Sequence, residues 1–249
     1  MEPIIHIIIF FITLILSFAG AISGGVGLIL RPILIFLGVP PVSVIGSMKV
    51  AMIIGKVPSV YLFHKHKKLD WRLVWYLVFP MFLGTFIAAL MVVTLLQGSI
   101  TLIMGIFLLA VGITLLLNKN IGLLERKSPF SKRKRHLIGF FGTVIIAFIN
   151  TFTGGMGPIF ASFYIMTYGK TYISASALTK AAHYIGAGIA SIVFIISGVT
   201  DWQLVAALAI SVLLGSYYGV KFGIKKGEKW IRYAVLVVVF ASAIKMIFF

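Results

Sequence analysis

Apolar stretches long enough to cross a bilayer recur along this chain of 249 residues, at 4–22, 73–96, 99–117, 184–199 with its flanks, 202–220 and 230–249. A spanning helix needs ~20 apolar residues. Backbone at membrane depth has no water to bond, so it must satisfy its own hydrogen bonds as helix. Charged residues make up 11% of the chain, against about a quarter in a soluble domain, and the mean hydropathy is +1.13. These features predict an all-α polytopic membrane protein. The N-terminus does not read as a signal peptide, because Glu2 stands where a basic region is expected and no small-residue cleavage site follows.

The formal charge is +17, from 22 Lys and Arg against 5 Asp and Glu. In a soluble protein that balance would suggest nucleic acid. Here the basic residues gather between the apolar stretches, in HKHKKLDWR (64–72), ERKSPFSKRKRH (125–136) and KFGIKKGEKWIR (221–232). They read as cytoplasmic loops lying near anionic lipid headgroups, with no nucleic acid partner. The expected location is the plasma (inner) membrane, and a homo-oligomer is compatible with the sequence. Cysteine is absent, so disulfides and thiolate metal sites are excluded. No cofactor and no metal are expected.

The chain repeats itself. Gly24-Gly25-Val26-Gly27 matches Gly154-Gly155-Met156-Gly157 at an offset of 154 − 24 = 130. After one inserted residue, Lys49 matches Lys180 (180 − 49 = 131), LDWRLV at 69–74 matches TDWQLV at 200–205, and LGTF at 83–86 matches LGSY at 214–217. Two membrane repeats follow, 1–117 and 137–249, joined by a basic cytoplasmic linker, 118–136. The loop around Asp70 is basic, whereas its equivalent around Asp201 has no basic residue. The turn at 97–100 is uncharged, whereas its equivalent at 221–232 is basic. Equivalent loops are therefore expected on opposite sides, which makes the repeats inverted in topology.

Inversion requires an odd number of crossings per half. The first half holds five apolar pieces, at 4–22, 27–38, 42–63, 72–96 and 99–117. Either all five cross, or the first two form a re-entrant hairpin with its tip at the glycines and three full spans follow. At ~1.5 Å per residue, 27–38 falls short of a ~30 Å core, which favours the hairpin. Broken backbone at membrane depth must be buried in protein or line a water-filled cavity. A break also frees N–H groups and a positive helix end, both of which attract anions, and paired breaks mark the midplane site of many transporters. GGxG can serve plain helix packing instead; two at symmetric positions point to a site.

The candidate binding residues are Gly24, Gly25, Gly27, Lys49, Asn150, Thr153, Gly154, Gly155, Gly157, Thr179, Lys180 and His183. Lys49 and Lys56 share a helix face with Met52 between them, and lie ~10 Å from a helix end, where a lysine can also snorkel to the interface. Lys180 sits deeper, where an ionisable group marks function by default. His183 shares its face and suits either a packing or a substrate role, and Arg31 either lines the site or reaches outward. Lys56 and His183 have apolar repeat equivalents, Ala187 and Met52, so the site should be symmetric in outline and asymmetric in detail. All five carboxylates (Glu2, Asp70, Glu125, Asp201, Glu228) fall at termini or in predicted loops. That leaves none to hold a cation or relay protons at depth, and the expected substrate is a small anion.

SGGVGLILRPILIFLGVPP (23–41) followed by VIGSMKV, and TGGMGPIFASFYI (153–165) followed by SASALTKAAH, resemble the sulfite exporter TauE/SafE family over nearly the whole chain. The resemblance implies a permease for sulfite, sulfonates or related anions. A membrane-embedded scaffold or assembly partner is the alternative from another class, though it would have little use for Lys180 at depth. An enzyme is disfavoured, because no carboxylate pair, metal-ligand spacing or nucleophile–base motif is present.

Overall fold

The computed structural model describes residues 3–95, 128 and 130–226, and these are helical with no strand among them. The helices are α1 (Pro3–Ser23), α2 (Val26–Phe36), α3 (Pro41–Lys65), α4 (Trp71–Thr94), α5 (Lys132–Thr153), α6 (Gly157–Tyr168), α7 (Tyr172–Ile196) and α8 (Trp202–Lys226). Within α7, His183–Ala187 form a π turn. The expected spans at 99–117 and 230–249, and most of the linker, lie outside the described residues. Five of the helices (α3, α4, α5, α7 and α8) are long and apolar enough to cross a membrane. The protein is an all-α polytopic membrane protein.

Local chemistry sets the helix ends. Asp70 Oδ1 accepts from the Leu73 N–H at 3.2 Å and starts α4. Its repeat equivalent Asp201 accepts from the Leu204 N–H at 3.0 Å and starts α8. The DW pair that anchors the repeat is thus a helix-start signal in both halves. Thr171 caps α7 in the same way, and Pro41 takes the first position of α3, where its missing N–H costs nothing.

The short helices α2 and α6 have 11 and 12 residues, about half a hydrocarbon core at the helical rise. Helix α1 runs alongside α8, with Ala21 against Gly219 and Gly215 against Ser17; α2 then returns to the end from which α1 set out. Helix α5 runs alongside α4, with Gly84 against Val144 and Ala147, and α6 returns to its starting end, where the Ser128 hydroxyl donates to the Thr167 carbonyl. Each broken hairpin enters and leaves by one end and lies along a full-length helix from the other half of the chain. Gly84 and Gly215, equivalent positions in the LGTF and LGSY motifs, let backbone meet backbone there, as small residues do at helix contacts in membranes.

The two ends of the bundle differ in charge. One end carries the 65–72 and 132–136 segments and the 169–171 turn, where Lys170 pairs with Asp70 at 3.2 Å. At the other, residues 40–43, 93–95 and 198–201 border a shared depression, with Asp201 the one charged residue among them.

Candidate functional site

The chain leaves the helix at Gly24–Gly25 and again at Gly154–Met156. Gly24, Gly25 and Gly154 have φ of +76°, +85° and +70°, values that residues with a Cβ adopt reluctantly. The two breaks meet. A Cβ on Gly24 would lie 2.7 Å from Gly157 Cα, and a Cβ on Gly27 would strike the Gly154 backbone. The pairing is reciprocal, since Gly24 is the repeat equivalent of Gly154 and Gly27 of Gly157. The glycines serve this contact as much as their own φ angles.

Beside the contact lies a cavity of about 90 Å³, room for an anion of a few heavy atoms or several waters. Gly24, Gly25, Gly154 and Gly157 line it from the breaks. Lys49, Lys56, Met48 and Met52 line it from α3, Arg31 from α2, Asn150 from α5, and Ser176, Thr179, Lys180 and His183 from α7. No carboxylate lines it. Of the twelve residues expected at the site, the structure gathers nine around this cavity. Gly27, Thr153 and Gly155 are not among its lining residues: Gly27 packs on Gly154, and the Thr153 hydroxyl donates to the Ile149 carbonyl in its own helix.

The cations divide by how they are held. Arg31 is buried, and its Nη1 donates to the Thr151 carbonyl at 2.8 Å and to the Phe152 carbonyl. It caps the C-terminal end of α5, where carbonyls have no helical partner and the dipole is negative. Reaching outward to the interface is thereby excluded for Arg31. Lys49 is 3% exposed and donates to Thr151 Oγ1 at 3.2 Å, which rules out snorkelling. Lys56 Nζ meets His183 Nδ1 at 2.9 Å, and Asn150 Nδ2 meets His183 Nε2 at 3.1 Å. Asn150 Oδ1 accepts from the Met156 N–H at 3.1 Å, one of the amides freed by the second break. Lys180 faces the cavity, and among the described residues no side-chain hydrogen bond holds its ammonium.

Two groups carry more of the site than spacing alone suggests. Arg31 looked ambiguous because its partners lie 120 and 121 positions away. Ser176 shares the α7 face with Lys180 and His183 at helical spacing, a signal present in SASALTKAAH. The π turn beginning at His183 is of the kind often found at functional positions. Among the described residues no cluster of His, Asp and Glu could hold a metal.

Comparison with known proteins agrees in kind. A "Probable membrane transporter protein" of Haemophilus influenzae is 25% identical over 245 residues, covering 97% of this chain and 94% of the relative. "Probable membrane transporter protein ORF9" of a Sinorhizobium species is 23% identical, covering 96% of this chain and 91% of the relative. "Probable membrane transporter protein YfcA" of Escherichia coli K12 is 22% identical, covering 99% and 91%. No solved structure matches. The family model described as Sulfite exporter TauE/SafE matches residues 9–246, and this chain belongs to that family of membrane transporters.

Proposed function

We propose that the protein exports small sulfur-containing anions, sulfite or organosulfonates, by alternating access around the cavity where the two breaks meet. One observation carries the reading: Arg31, Lys49, Lys56, Lys180 and His183 surround a single cavity that no carboxylate lines. A cation would find only repulsion there. An anion finds Lys180, a charge with no protein partner among the described residues, beside freed backbone and the Thr179 and Ser176 hydroxyls.

Two features support an inverted repeat as the moving framework. The reciprocal contacts of Gly24 with Gly157 and Gly27 with Gly154 are what a two-fold axis between the breaks produces. The helix directions agree: α3 runs parallel to α8, with Gly46 against Val199 and Gly55 against Val212, so α3 and its equivalent α7 run in opposite senses. With the basic end in the cytoplasm of a plasma-membrane protein, an interior-negative potential favours export by ~2.3 kcal/mol per net charge per 100 mV. Binding by the positive ends of broken helices is a known device of such carriers.

The test is sulfite and methanesulfonate efflux from proteoliposomes, wild type against Lys180→Met. Efflux above that of empty vesicles that disappears in a variant still monodisperse in detergent supports an anion site built on Lys180. Undiminished efflux in the variant moves the site elsewhere. No wild-type efflux of either anion removes the reading in favour of a scaffold.

A further inference from the structure

The hydrogen bonds around His183 have a direction, and that direction fixes a proton. The Met156 backbone N–H can only donate, so the Asn150 oxygen facing it at 3.1 Å is the acceptor and the amide nitrogen points the other way. That nitrogen also can only donate, and it meets His183 Nε2 at 3.1 Å. Nε2 is therefore the bare, accepting nitrogen of the ring. A neutral imidazole carries one proton, so it sits on Nδ1, which faces Lys56 Nζ at 2.9 Å. An ammonium at Lys56 would set donor against donor. The amine form accepts the bond. No other assignment satisfies all three contacts: turning the Asn150 amide over sets its nitrogen against the Met156 N–H, and a doubly protonated ring sets Nε2–H against the Asn150 nitrogen.

From this polarity we infer that Lys56 rests as a neutral amine, held by the Nδ1–H of His183, and that it takes up one proton when an anion enters the cavity. The inference rests on the anion-transport reading above and adds a second ion to it. The charged groups facing the amine are Lys180 from α7, Lys49 from its own helix and Arg31 from α2. Arg31 is engaged by the α5 carbonyls. Without an anion, an ammonium at Lys56 has only like charges around it; with an anion bound, it gains a counter-charge. The proton comes from the aqueous side to which the cavity is open and forms an N–H bond on the Nζ lone pair. Once protonated, Nζ no longer accepts from the ring and turns to the anion. Cavity charge is unchanged by the paired arrival, so a monoanion crosses without net charge and membrane potential does not drive it, while a dianion keeps one charge.

The relay has a readout independent of transport. Histidine ¹⁵N spectra of the full chain in lipid vesicles without anion, with the His183 signals identified by their loss in His183→Gln, should show Nδ1 protonated and Nε2 bare. An Nε2–H tautomer, or a doubly protonated ring, overturns the inference whatever the transport result. Methanesulfonate, a strong-acid anion that brings no proton of its own, then tests coupling in vesicles carrying an interior pH dye with the potential clamped. The expected result is one proton per anion and a rate unchanged by the clamp, with the proton-to-anion ratio falling toward zero in Lys56→Met. Anion movement without proton movement in the wild type overturns coupling and leaves the transport reading standing. No movement of methanesulfonate or sulfite removes both.

Discussion

The two breaks share a backbone and differ in chemistry. At the first, the Gly24 N–H donates to the Gly20 carbonyl at 2.8 Å; at the second, the Gly154 N–H donates to the Asn150 carbonyl at the same distance. The side chains then part ways. Gly20 has no side chain to offer, and a Cβ there would lie 2.5 Å from a Val26 methyl. Asn150, at the equivalent position, holds a freed amide with one end and His183 with the other. Ala21 is matched by Thr151, whose hydroxyl receives Lys49. The second break is also capped by Arg31, a residue of the first hairpin. One half supplies a tight apolar turn and a guanidinium, and the other supplies the polar groups. A duplicated backbone keeps the geometry while each copy specialises.

Arg31→Met should be the most damaging change to that arrangement. It strips the cap from buried α5 carbonyls, and charged hydrogen bonds contribute about 1.5–3 kcal/mol each, so thermal unfolding in detergent should show a loss of about 3 kcal/mol or more. Retention of wild-type stability would mean that the second break stands unaided. Gly27→Ala comes next, because its Cβ meets Gly154 backbone that cannot move aside; overpacking of this kind costs about 1–3 kcal/mol. Gly188→Ala, whose Cβ would find only Ile53 at 3.7 Å, should be mild in the same assay. Asn150→Leu leaves the Met156 amide and His183 Nε2 without their partner, a penalty of about 1–3 kcal/mol, and should depress anion efflux as well. An Asn150→Leu protein with normal efflux would make the polarity of the second break incidental. Lys49→Met removes one bond to Thr151, about 1 kcal/mol, and should weaken anion binding less than Lys180→Met does. Smallest is Asp70→Asn, which loosens a partly exposed ion pair with Lys170 (42% and 28% exposed) worth about 0.2–1 kcal/mol.

Much of the framework was legible before any coordinates. The apolar runs at 42–63 and 72–96 became α3 and α4 within a few residues, because helix extent follows from local apolar length and from punctuation by Pro41 and Asp70. The shortness of 27–38 anticipated the short α2. The run at 184–199 was read too short at its start: α7 begins at Tyr172, and SASALTKAAH, polar for a span, conceals a helix that turns those groups to a cavity. Nine of the twelve expected lining residues gather at one place because glycine breaks and intramembrane cations are rare enough to stand out. Thr153 was legible only as a polar residue near a break; its hydroxyl's return to Ile149 is a choice of rotamer that spacing does not encode.

The sequence by itself determined the class of protein, the two breaks and the excess of cationic over anionic groups at depth, since each depends on residues close together in the chain. The tertiary structure decided which groups meet. Arg31 finds a helix end 121 positions away, Lys56 finds His183 across 127, and Gly24 lands on Gly157. Helical spacing says which side chains share a face, but it carries no information about which face another helix will present to them. That is settled when the whole bundle closes and each buried polar group must find a partner.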